Sequence, residues 1–417
     1  MNVLLRSARI IDENSKHHQQ TRDILIEKGV IEVIRKKIDL PKNCQEIKIE
    51  NLHVSTGWFD TSVSFGEPGF EERETITNGL KTAALSGVTK VAVNPNTNPV
   101  IDNKSQVEFL IQKSAGSAVG LYPIANLTQG AEGKELAELF DMKNSGAVAF
   151  GDYGKGIANA NLLKIALLYA QNFDGLVMSF PQDDSIGSHG LVNESPETTK
   201  LGLNAIPNLS EELQIARDLY LLEYTGGKLH IPTISTAGSV KLIREAKKKG
   251  LDISCSVAAH HLSLTDEEIA SFDTNFKVSP PLRTAKDVKA LVKGVQDGTI
   301  DMIVSDHNPI DVENKKVEFE NGLCGTLGLE TLFGSVSDVV GVETFVKCMT
   351  VNPQKRFGLP ESRIEENACA DLTLFDPDRE YVFEQEMIVS KSENSAFVGK
   401  ALKGKALGII SRNKLVI

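Results

Sequence analysis

The chain has 417 residues, of which 41% are hydrophobic and 24% are charged, and its formal net charge at pH 7 is -11. This composition is typical of a globular protein, and no apolar run is long enough to cross a bilayer, so a membrane protein is not expected. The negative charge argues against binding to nucleic acid or anionic lipid through net electrostatics.

The cysteines and the first residues indicate the compartment. Five cysteines are present, an odd number, and no two of them form a C-x-x-C pair. The N-terminal apolar stretch is interrupted by Arg6 and Arg9 and lacks the pattern of a signal peptide. We therefore expect a reducing compartment, with the cytoplasm as the default.

The two ends of the chain show the alternation of β-strands. Residues 3–10, 22–34 and 45–50 alternate in this way around a Lys28-Gly29 turn, and 371–375 and 407–417 do so near the other end. We expect both ends to form one small β-sandwich-like domain, comprising residues 1–54 and 365–417.

Between the two ends, short apolar runs alternate with helical segments. Eight such pairs occur between residues 57 and 357, and the apolar runs are too uniform for half-exposed strands, which predicts parallel strands covered by helices. The predicted strands are Trp58–Val63, Val88–Val93, Val119–Ala125, Ala147–Phe150, Gly175–Phe180, Lys228–Ile234, Asp252–Ala258 and Asp301–Ser305.

The helical segments between these strands carry capping residues. Ser210 and Thr284 are predicted to cap the helices that follow them. The predicted helices are Glu72–Leu85, Ser105–Lys113, Asn161–Ala170, Ser210–Tyr224, Val240–Lys249 and Ala285–Val295.

Eight strands alternating with helices predict an α/β fold of the TIM-type (β/α)₈ barrel class, over residues 55–364. In such barrels the active site lies at the C-terminal ends of the strands. An open doubly wound sheet is the alternative, but no G-x-G-x-x-G motif follows the first strand. The barrel is therefore the favoured architecture.

Motifs at the ends of these strands resemble those of dihydroorotases, members of the amidohydrolase superfamily, and they occur in the same order over nearly the whole chain. On this resemblance the chain is identified as a member of that family. The motifs are Pro95-Asn96-Thr97-Asn98-Pro99, Ser235-Thr236, His260-His261-Leu262, Pro280-Pro281-Leu282-Arg283, Asp306-His307, Gly328-Leu329-Glu330-Thr331 and Ser390-Lys391-Ser392-Glu393-Asn394.

The resemblance implies a hydrolase that uses one or two zinc ions to activate water, and zinc requires imidazole or carboxylate ligands. The four positions of the family's metal histidines hold Ser62, Ser64, Phe180 and Thr233. No metal or other cofactor is therefore expected.

Two acidic residues remain near these positions. Asp152 lies at the fourth strand, where the family has an acidic pair or a carboxylated lysine, and Asp306 aligns with the catalytic base. Without a metal-bound water Asp306 has little to deprotonate, so we interpret it as non-catalytic.

The positions that contact substrate in the family are also changed. Gly66 replaces the arginine expected to bind the substrate carboxylate through two hydrogen bonds. Ser279 and Ile310 replace the asparagine of Asn-Pro-Pro-Leu-Arg and the last histidine of Asp-His-Ala-Pro-His, and only Asn96 is retained.

Four histidines, two of them adjacent, are interpreted as structural. His260 and His261 are adjacent, and neighbouring residues of a strand point to opposite faces, so they are not expected to provide a joint metal site. His53 precedes the barrel, and His230 lies on an apolar strand.

The resulting hypothesis is a non-catalytic dihydroorotase-like protein with a structural or regulatory role in pyrimidine synthesis. The resemblance implies aspartate carbamoyltransferase as a partner and a homodimer as the oligomeric state. Two alternatives stay open. One is an active enzyme that uses Asp152, Asp306 and solvent as an unusual metal site. The other is a barrel that binds a small ligand, with Phe180 in the former metal space.

Overall fold

The computed structural model describes residues 1–187 and 190–417. The strands within these ranges are β1 (Asn2–Ile11), β2 (Thr21–Glu27), β3 (Val30–Arg35), β4 (Gln45–Ile47), β5 (His53–Thr56), β6 (Trp58–Val63), β7 (Val88–Val93), β8 (Gly120–Ala125), β9 (Ala149–Phe150), β10 (Leu176–Met178), β11 (Val192–Asn193), β12 (Ala205–Ile206), β13 (Lys228–Ile231), β14 (Ile253–Ala258), β15 (Met302–Val304), β16 (Leu372–Val382), β17 (Ala401–Ser411) and β18 (Lys414–Val416).

The α-helices lie mostly between the barrel strands and cover their outer faces. They are α1 (Ile76–Leu85), α2 (Lys104–Lys113), α3 (Leu139–Asn144), α4 (Ala160–Ala170), α5 (Asp184–Gly187), α6 (Pro196–Thr199), α7 (Asn208–Thr225), α8 (Ala237–Lys248), α9 (Ala259–Ser263), α10 (Ala285–Gln296), α11 (Val312–Lys315), α12 (Leu332–Val340), α13 (Val342–Met349) and α14 (Val351–Arg356). In the described parts of the chain, no helix combines the length and hydrophobicity that a membrane crossing requires.

Eight parallel strands form the barrel in the order β6, β7, β8, β9, β10, β13, β14, β15. The first and last strands meet through a parallel bridge between Val63 and His307, where the amide of Ser64 donates to the carbonyl oxygen of His307 at 2.7 Å. This contact closes the sheet. The predicted (β/α)₈ barrel is therefore confirmed, and the open doubly wound sheet does not form.

Each predicted barrel strand corresponds to an observed one, and β6 and β7 have the predicted bounds. Other strands end earlier than predicted: β10 ends at Met178 and β13 at Ile231. The polypeptide leaves the sheet there because the next residues turn into the barrel mouth, where Thr233 has a φ of 46°. Because of these early turns, Phe180 and Thr233 lie at the barrel mouth and not within the strands.

Of the two predicted helix caps, Thr284 is observed and Ser210 is not. Thr284 caps α10, since its side chain accepts a hydrogen bond from the amide of Asp287. Ser210 is not a cap, because α7 begins two residues earlier, after Pro207. The Ser210 hydroxyl instead donates to the carbonyl oxygen of Asp183 at 2.9 Å and links the helix to the loop after β10.

Strands from both ends of the chain share one sheet, as predicted for a composite β-domain. Its order is β18, β17, β16, β5, β1, β2, β3, with β4 paired to β1. Strand β5 pairs with both β1 and β16 and so joins the two ends. The limits of the two domains and the sandwich-like description stay predictions.

Trp58 connects the barrel to this sheet. It is fully buried at the start of β6, and its indole nitrogen donates to the Ser55 hydroxyl at 3.0 Å. Its ring lies 5.1 Å from the rings of Phe333 and Phe345 and 5.6 Å from that of Phe375. This aromatic cluster holds the sheet, α12 and α13 against the barrel wall.

We expect Trp58→Ala to lower the free energy of unfolding by about 3–5 kcal/mol, because it leaves a cavity within this aromatic cluster. Since Trp58 is the single tryptophan of the chain, denaturant unfolding should be followed by far-ultraviolet circular dichroism. The matched control is Phe109→Ala, which truncates a ring that is 40% exposed. Equal losses in both variants would contradict the proposed importance of the cluster.

Candidate functional site at the barrel mouth

A hydrogen-bonded network of side chains occupies the centre of the barrel mouth. The Asp306 carboxylate oxygen Oδ1 accepts from the Ser62 hydroxyl at 3.0 Å and from the Tyr153 hydroxyl at 3.2 Å. The Asn94 side-chain amide donates to the hydroxyl oxygens of Ser62 and Ser64, each at 3.2 Å. The network thus joins the ends of β6, β7, β9 and β15.

A second carboxylate lies directly beneath this network. Asp60 is fully buried and accepts hydrogen bonds from the amides of Ser305 at 3.2 Å and Ser62 at 3.3 Å. Asp60 therefore fixes the backbone at the ends of the first and last barrel strands. The mouth holds two carboxylates, Asp60 and Asp306. Among the contacts described, neither has a cationic partner.

Burial changes the protonation of these groups. It raises the pKa of Asp306 to about 6 and that of Asp60 to about 7, with the neighbouring Asp306 charge adding to the effect on Asp60. Burial and the Asp306 carboxylate also raise the pKa of Tyr153 well above its usual value. Tyr153 therefore acts as a hydrogen-bond donor at physiological pH.

Asp152 does not join the network. Its oxygens accept from the amides of Leu127 at 3.1 Å and Thr128 at 3.2 Å, from the side chain of Asn126 at 3.2 Å, and from the Thr128 hydroxyl. These four hydrogen bonds occupy the acceptor positions of the Asp152 carboxylate and anchor the loop that follows β8 to it. In this arrangement Asp152 and Asp306 do not form a pair of ligands for one ion.

Phe180 and Thr233 lie beside the network and are both almost completely buried. They line a narrow, mainly apolar cavity together with Met178, Ile124 and Pro232. The cavity volume is about 20 Å³, which is enough for a single ordered water molecule but far below the usual size of a ligand pocket.

The residues at this site do not fit a zinc ion. Within residues 1–187 and 190–417, no three His, Cys, Asp or Glu side chains are arranged to hold a metal. The Asn94 amide directs its hydrogens at the two serines, and Ser62 directs its own at Asp306. A metal ion is bound by oxygen or nitrogen lone pairs. Here the Asn94 and Ser62 side chains instead place hydrogens between the mouth residues.

The histidine pair adopts a geometry that the sequence did not predict. His260 and His261 lie in the short helix α9, not on a strand, so the argument from opposite strand faces was wrong. Their rings are 4.4 Å apart, and both side chains are buried. His261 Nε2 lies 3.0 Å from the carbonyl oxygen of Pro280, an intrachain contact compatible with a structural role.

His230 and His53 also have local partners. The ring nitrogens of His230 lie 2.8 Å from the Ser254 hydroxyl and 3.3 Å from that of Ser256, and burial lowers the pKa of His230 to about 3. His53 Nδ1 lies 2.9 Å from the carbonyl oxygen of Asn51. Both belong to the framework and not to the barrel mouth network.

The predicted substrate positions are distributed around the mouth. Asn96 has a buried Oδ1 with no hydrogen-bond partner in the described structure. Ser279 is half-buried, and Ile310 is buried with its amide donating to the Asn394 side chain at 3.0 Å. Their roles in binding a substrate stay predictions.

Gly66 occupies a conformation that excludes an arginine. Its φ is 83°, and an added Cβ atom would lie 2.6 Å from the carbonyl oxygen of Phe70. That carbonyl belongs to a turn in which the amide of Phe70 donates to the carbonyl of Gly66 at 2.9 Å. The loop after β6 is therefore shaped around glycine.

Three members of the mouth were not recognised from the sequence as parts of one network: Asp60, Asn94 and Tyr153. Their positions at the ends of β6, β7 and β9 were a usable signal, because the ends of barrel strands converge. Apart from the contact between Asp60 and the nearby Ser62 amide, their hydrogen-bond partners come from distant segments and could not be read from spacing.

Comparisons with known proteins identify the family of this chain. Residues 53–239 match a family described as Dihydro-orotase-like. The whole chain aligns with a dihydroorotase of Geotalea daltonii at 38% identity, covering 99% of that protein, and with one of Pelotomaculum thermopropionicum at 40% identity and the same coverage. The chain belongs to the dihydroorotase family.

Solved structures of hydantoinases share the fold of this dihydroorotase family member. The L-hydantoinase (dihydropyrimidinase) of Arthrobacter aurescens superposes with a TM-score of 0.86, covering 100% of this chain and 96% of that one. A D-hydantoinase superposes with a TM-score of 0.84, covering 100% and 95%. Both are 20% identical in sequence, so this likeness establishes the fold alone.

The raised pKa of Asp306 predicts a pH-dependent stability. Because the folded state binds this proton more tightly than the unfolded state, the stabilisation is complete below about pH 4 and is lost as the pH rises through about 6. We expect Asp306→Asn to raise the free energy of unfolding at pH 8 by about 2–3 kcal/mol and to have a smaller effect at pH 5. Denaturant titrations at both pH values measure this difference.

The control for this experiment is Asp311→Asn, which should have the opposite sign. Burial acts to raise the pKa of Asp311, but hydrogen bonds from Asn314 and Arg73 outweigh it and hold the pKa below its usual value. Its contribution to stability is therefore present at neutral pH and lost in acid. An Asp306→Asn variant that is less stable than the parent at pH 8 would contradict the raised pKa.

Proposed function

We propose that this chain is a non-catalytic member of the dihydroorotase family that acts as a structural or regulatory component of pyrimidine biosynthesis in the cytoplasm. The observation that carries the proposal is the replacement of the four metal histidines by Ser62, Ser64, Phe180 and Thr233. These losses coincide with preservation of the complete barrel. A loss that is limited to the ligand positions favours a role that depends on the folded structure and not on catalysis.

The chemistry of the mouth supports this proposal. Zinc supplies a bound water whose pKa is near neutrality, and it requires imidazole, thiolate or carboxylate ligands. Serine and threonine hydroxyls are neutral and weak ligands by comparison, and phenylalanine is no ligand at all. We therefore propose that the chain works without a metal.

The arrangement of the substrate positions gives separate support. Catalysis of dihydroorotate hydrolysis needs a group that orients the substrate carboxylate, and an arginine does so through two parallel hydrogen bonds. Gly66 offers no side chain, and its surroundings leave no space for one. The narrow cavity beside Phe180 and Thr233 offers no room for a six-membered ring.

The two alternatives have less support. An active enzyme with a metal between Asp152 and Asp306 would have to break the four hydrogen bonds that Asp152 accepts from the loop after β8. A barrel that binds a small ligand could use the unpartnered Oδ1 of Asn96, but the cavity would have to enlarge. We rank both below the non-catalytic role.

The proposed partner is aspartate carbamoyltransferase, which precedes dihydroorotase in the pathway. Support for this choice comes from the resemblance to dihydroorotases of the multifunctional type. A chain that keeps the fold without the chemistry can still contribute a binding surface to such an assembly. The partner's identity is accordingly an expectation of family membership.

The first prediction from this proposal concerns catalysis. Purified protein supplied with excess zinc should hydrolyse dihydroorotate no faster than buffer, and metal analysis after dialysis should find much less than one zinc per chain. An authentic dihydroorotase assayed in parallel provides the positive control. Turnover that is abolished by Asp306→Ala would overturn the proposal, because it would reveal a metal site rebuilt from other residues.

The second prediction concerns the partner. Deleting the gene should impair the assembly or activity of aspartate carbamoyltransferase, measured as the mass and specific activity of that enzyme in extracts. Both the wild-type chain and Asp306→Ala should restore it, since the proposed role requires no catalysis. An unchanged partner in the deletion strain, or rescue by the wild type alone, would contradict the proposed role.

A further inference from the structure

A larger cavity than the one at the barrel mouth lies between helix α12 and the sheet that both chain ends share. We call it the α12–β17 cavity. It is lined by Phe333 of α12, Tyr381 of β16, Lys405 of β17 and Ser86 at the end of α1, and its volume is about 340 Å³. Pockets that hold small molecules have volumes of about 300–1,000 Å³ and are frequent where two structural units meet. The α12–β17 cavity therefore has the size and the position of a ligand site.

The wall of this cavity consists mainly of aromatic and aliphatic side chains. Phe333 and Phe383 are buried, whereas Tyr381, Met387 and Leu407 are only partly buried. Apolar side chains that remain in contact with water favour a ligand that covers them. The three aromatic residues suit a flat ring, because aromatic rings attract one another in tilted and offset arrangements.

The Lys405 ammonium is a cation without a counter-charge in this wall. Its Nζ lies 5.2 Å from the centre of the Tyr381 ring. Lys403, two positions earlier on β17, pairs with Asp338 at 2.7 Å, but within residues 1–187 and 190–417 no carboxylate forms such a pair with Lys405. Burial and the nearby Arg379 charge lower the pKa of Lys405, which shows that its surroundings disfavour the charged form. An anion bound at this point would stabilise the ammonium.

The Tyr381 hydroxyl adds a hydrogen-bond donor to the same cavity. Burial raises the pKa of Tyr381 to about 12, so the hydroxyl keeps its proton at physiological pH. In the part of the chain that the structure describes, no side chain forms a hydrogen bond with this hydroxyl. Gly334 gives it room, because a Cβ atom added there would lie 2.8 Å from the hydroxyl oxygen. A donor and a cation thus face the cavity without partners of their own.

Glu330 is the acidic residue of the wall, and its carboxylate is engaged elsewhere. Its Oε1 atom accepts from the amide of Ser390 at 3.1 Å and from the hydroxyl of the same residue at 2.6 Å. Its Oε2 atom is buried, 3.9 Å from Nδ1 of His307, and the whole side chain is only 7% exposed. The Glu330 charge therefore does not replace the missing counter-charge of Lys405.

We propose that the α12–β17 cavity binds a small aromatic carboxylate. The ring lies between the apolar walls, and the carboxylate accepts hydrogen bonds from the Lys405 ammonium and the Tyr381 hydroxyl. A single unpaired cation favours a monoanion over a phosphate, and aromatic walls favour a flat ring over a flexible chain. The cavity shares no residue with the network at the barrel mouth. The proposal therefore holds whether or not the mouth is catalytic.

The test is calorimetric titration of the purified full chain at neutral pH with 1-naphthylacetate. The neutral analogue 2-(1-naphthyl)ethanol, which has the same ring system without the carboxylate, is titrated in parallel. We expect the carboxylate to bind with a dissociation constant between about 10 μM and 1 mM. The alcohol should bind about tenfold more weakly or worse, because it cannot form the charge-assisted hydrogen bond with Lys405.

Three variants locate the binding site. Lys405→Met keeps most of the side-chain length without the charge, so it should weaken carboxylate binding by about tenfold or more and remove the preference over the alcohol. Met387→Trp fills the cavity and should weaken the binding of both compounds. The matched control Lys403→Met removes the neighbouring lysine, which already has Asp338 as its partner, and should leave both affinities unchanged.

Circular dichroism and thermal unfolding establish that the variants are folded. The absence of saturable binding to the wild-type chain up to about 5 mM carboxylate would overturn the proposal. Equal affinities of the wild-type chain for the carboxylate and the alcohol would also overturn it, and this comparison needs no variant. A folded Lys405→Met protein that binds the carboxylate as tightly as Lys403→Met would show that the anion lies elsewhere.

Discussion

Closure of the barrel between its first and last strands is the constraint on which the mouth depends. The bridge between Val63 and His307 brings together segments that are distant in sequence, and the hydrogen bond between Ser62 and Asp306 spans 244 positions. Without closure, β6 and β15 would be opposite edges of an open sheet. The composite site therefore exists only as a property of the complete fold.

The network at the mouth surrounds two buried carboxylates with neutral hydrogen-bond donors. Two buried carboxylates, Asp60 and Asp306, have no cationic partner among the contacts described. The structure supplies neutral donors instead, from the Ser62 and Tyr153 hydroxyls and from backbone amides. Burial also raises the pKa of Asp60 to about 7 and that of Asp306 to about 6, so both are less fully ionised near neutral pH than exposed aspartates would be.

The barrel architecture could be predicted from the sequence. Strands buried on both faces give uniform apolar runs, and the helices that cover them have one apolar face, so the two kinds of element leave different patterns. The assignment of Ser62, Ser64, Phe180 and Thr233 to former ligand positions came from the family resemblance and stays a prediction, although strand ends do converge in this fold. The sequence could not show that Asp152 faces the loop after β8, nor that His260 and His261 lie on a helix. These features depend on backbone turns one or two residues beyond each strand and on partners that are far away in the chain.

The conformation of Gly66 has a consequence for attempts to re-engineer the barrel mouth. An arginine at this position would be incompatible with the turn that now brings the Phe70 carbonyl against it. Placing the family's arginine at position 66 would therefore require rebuilding the loop after β6 together with the side chain.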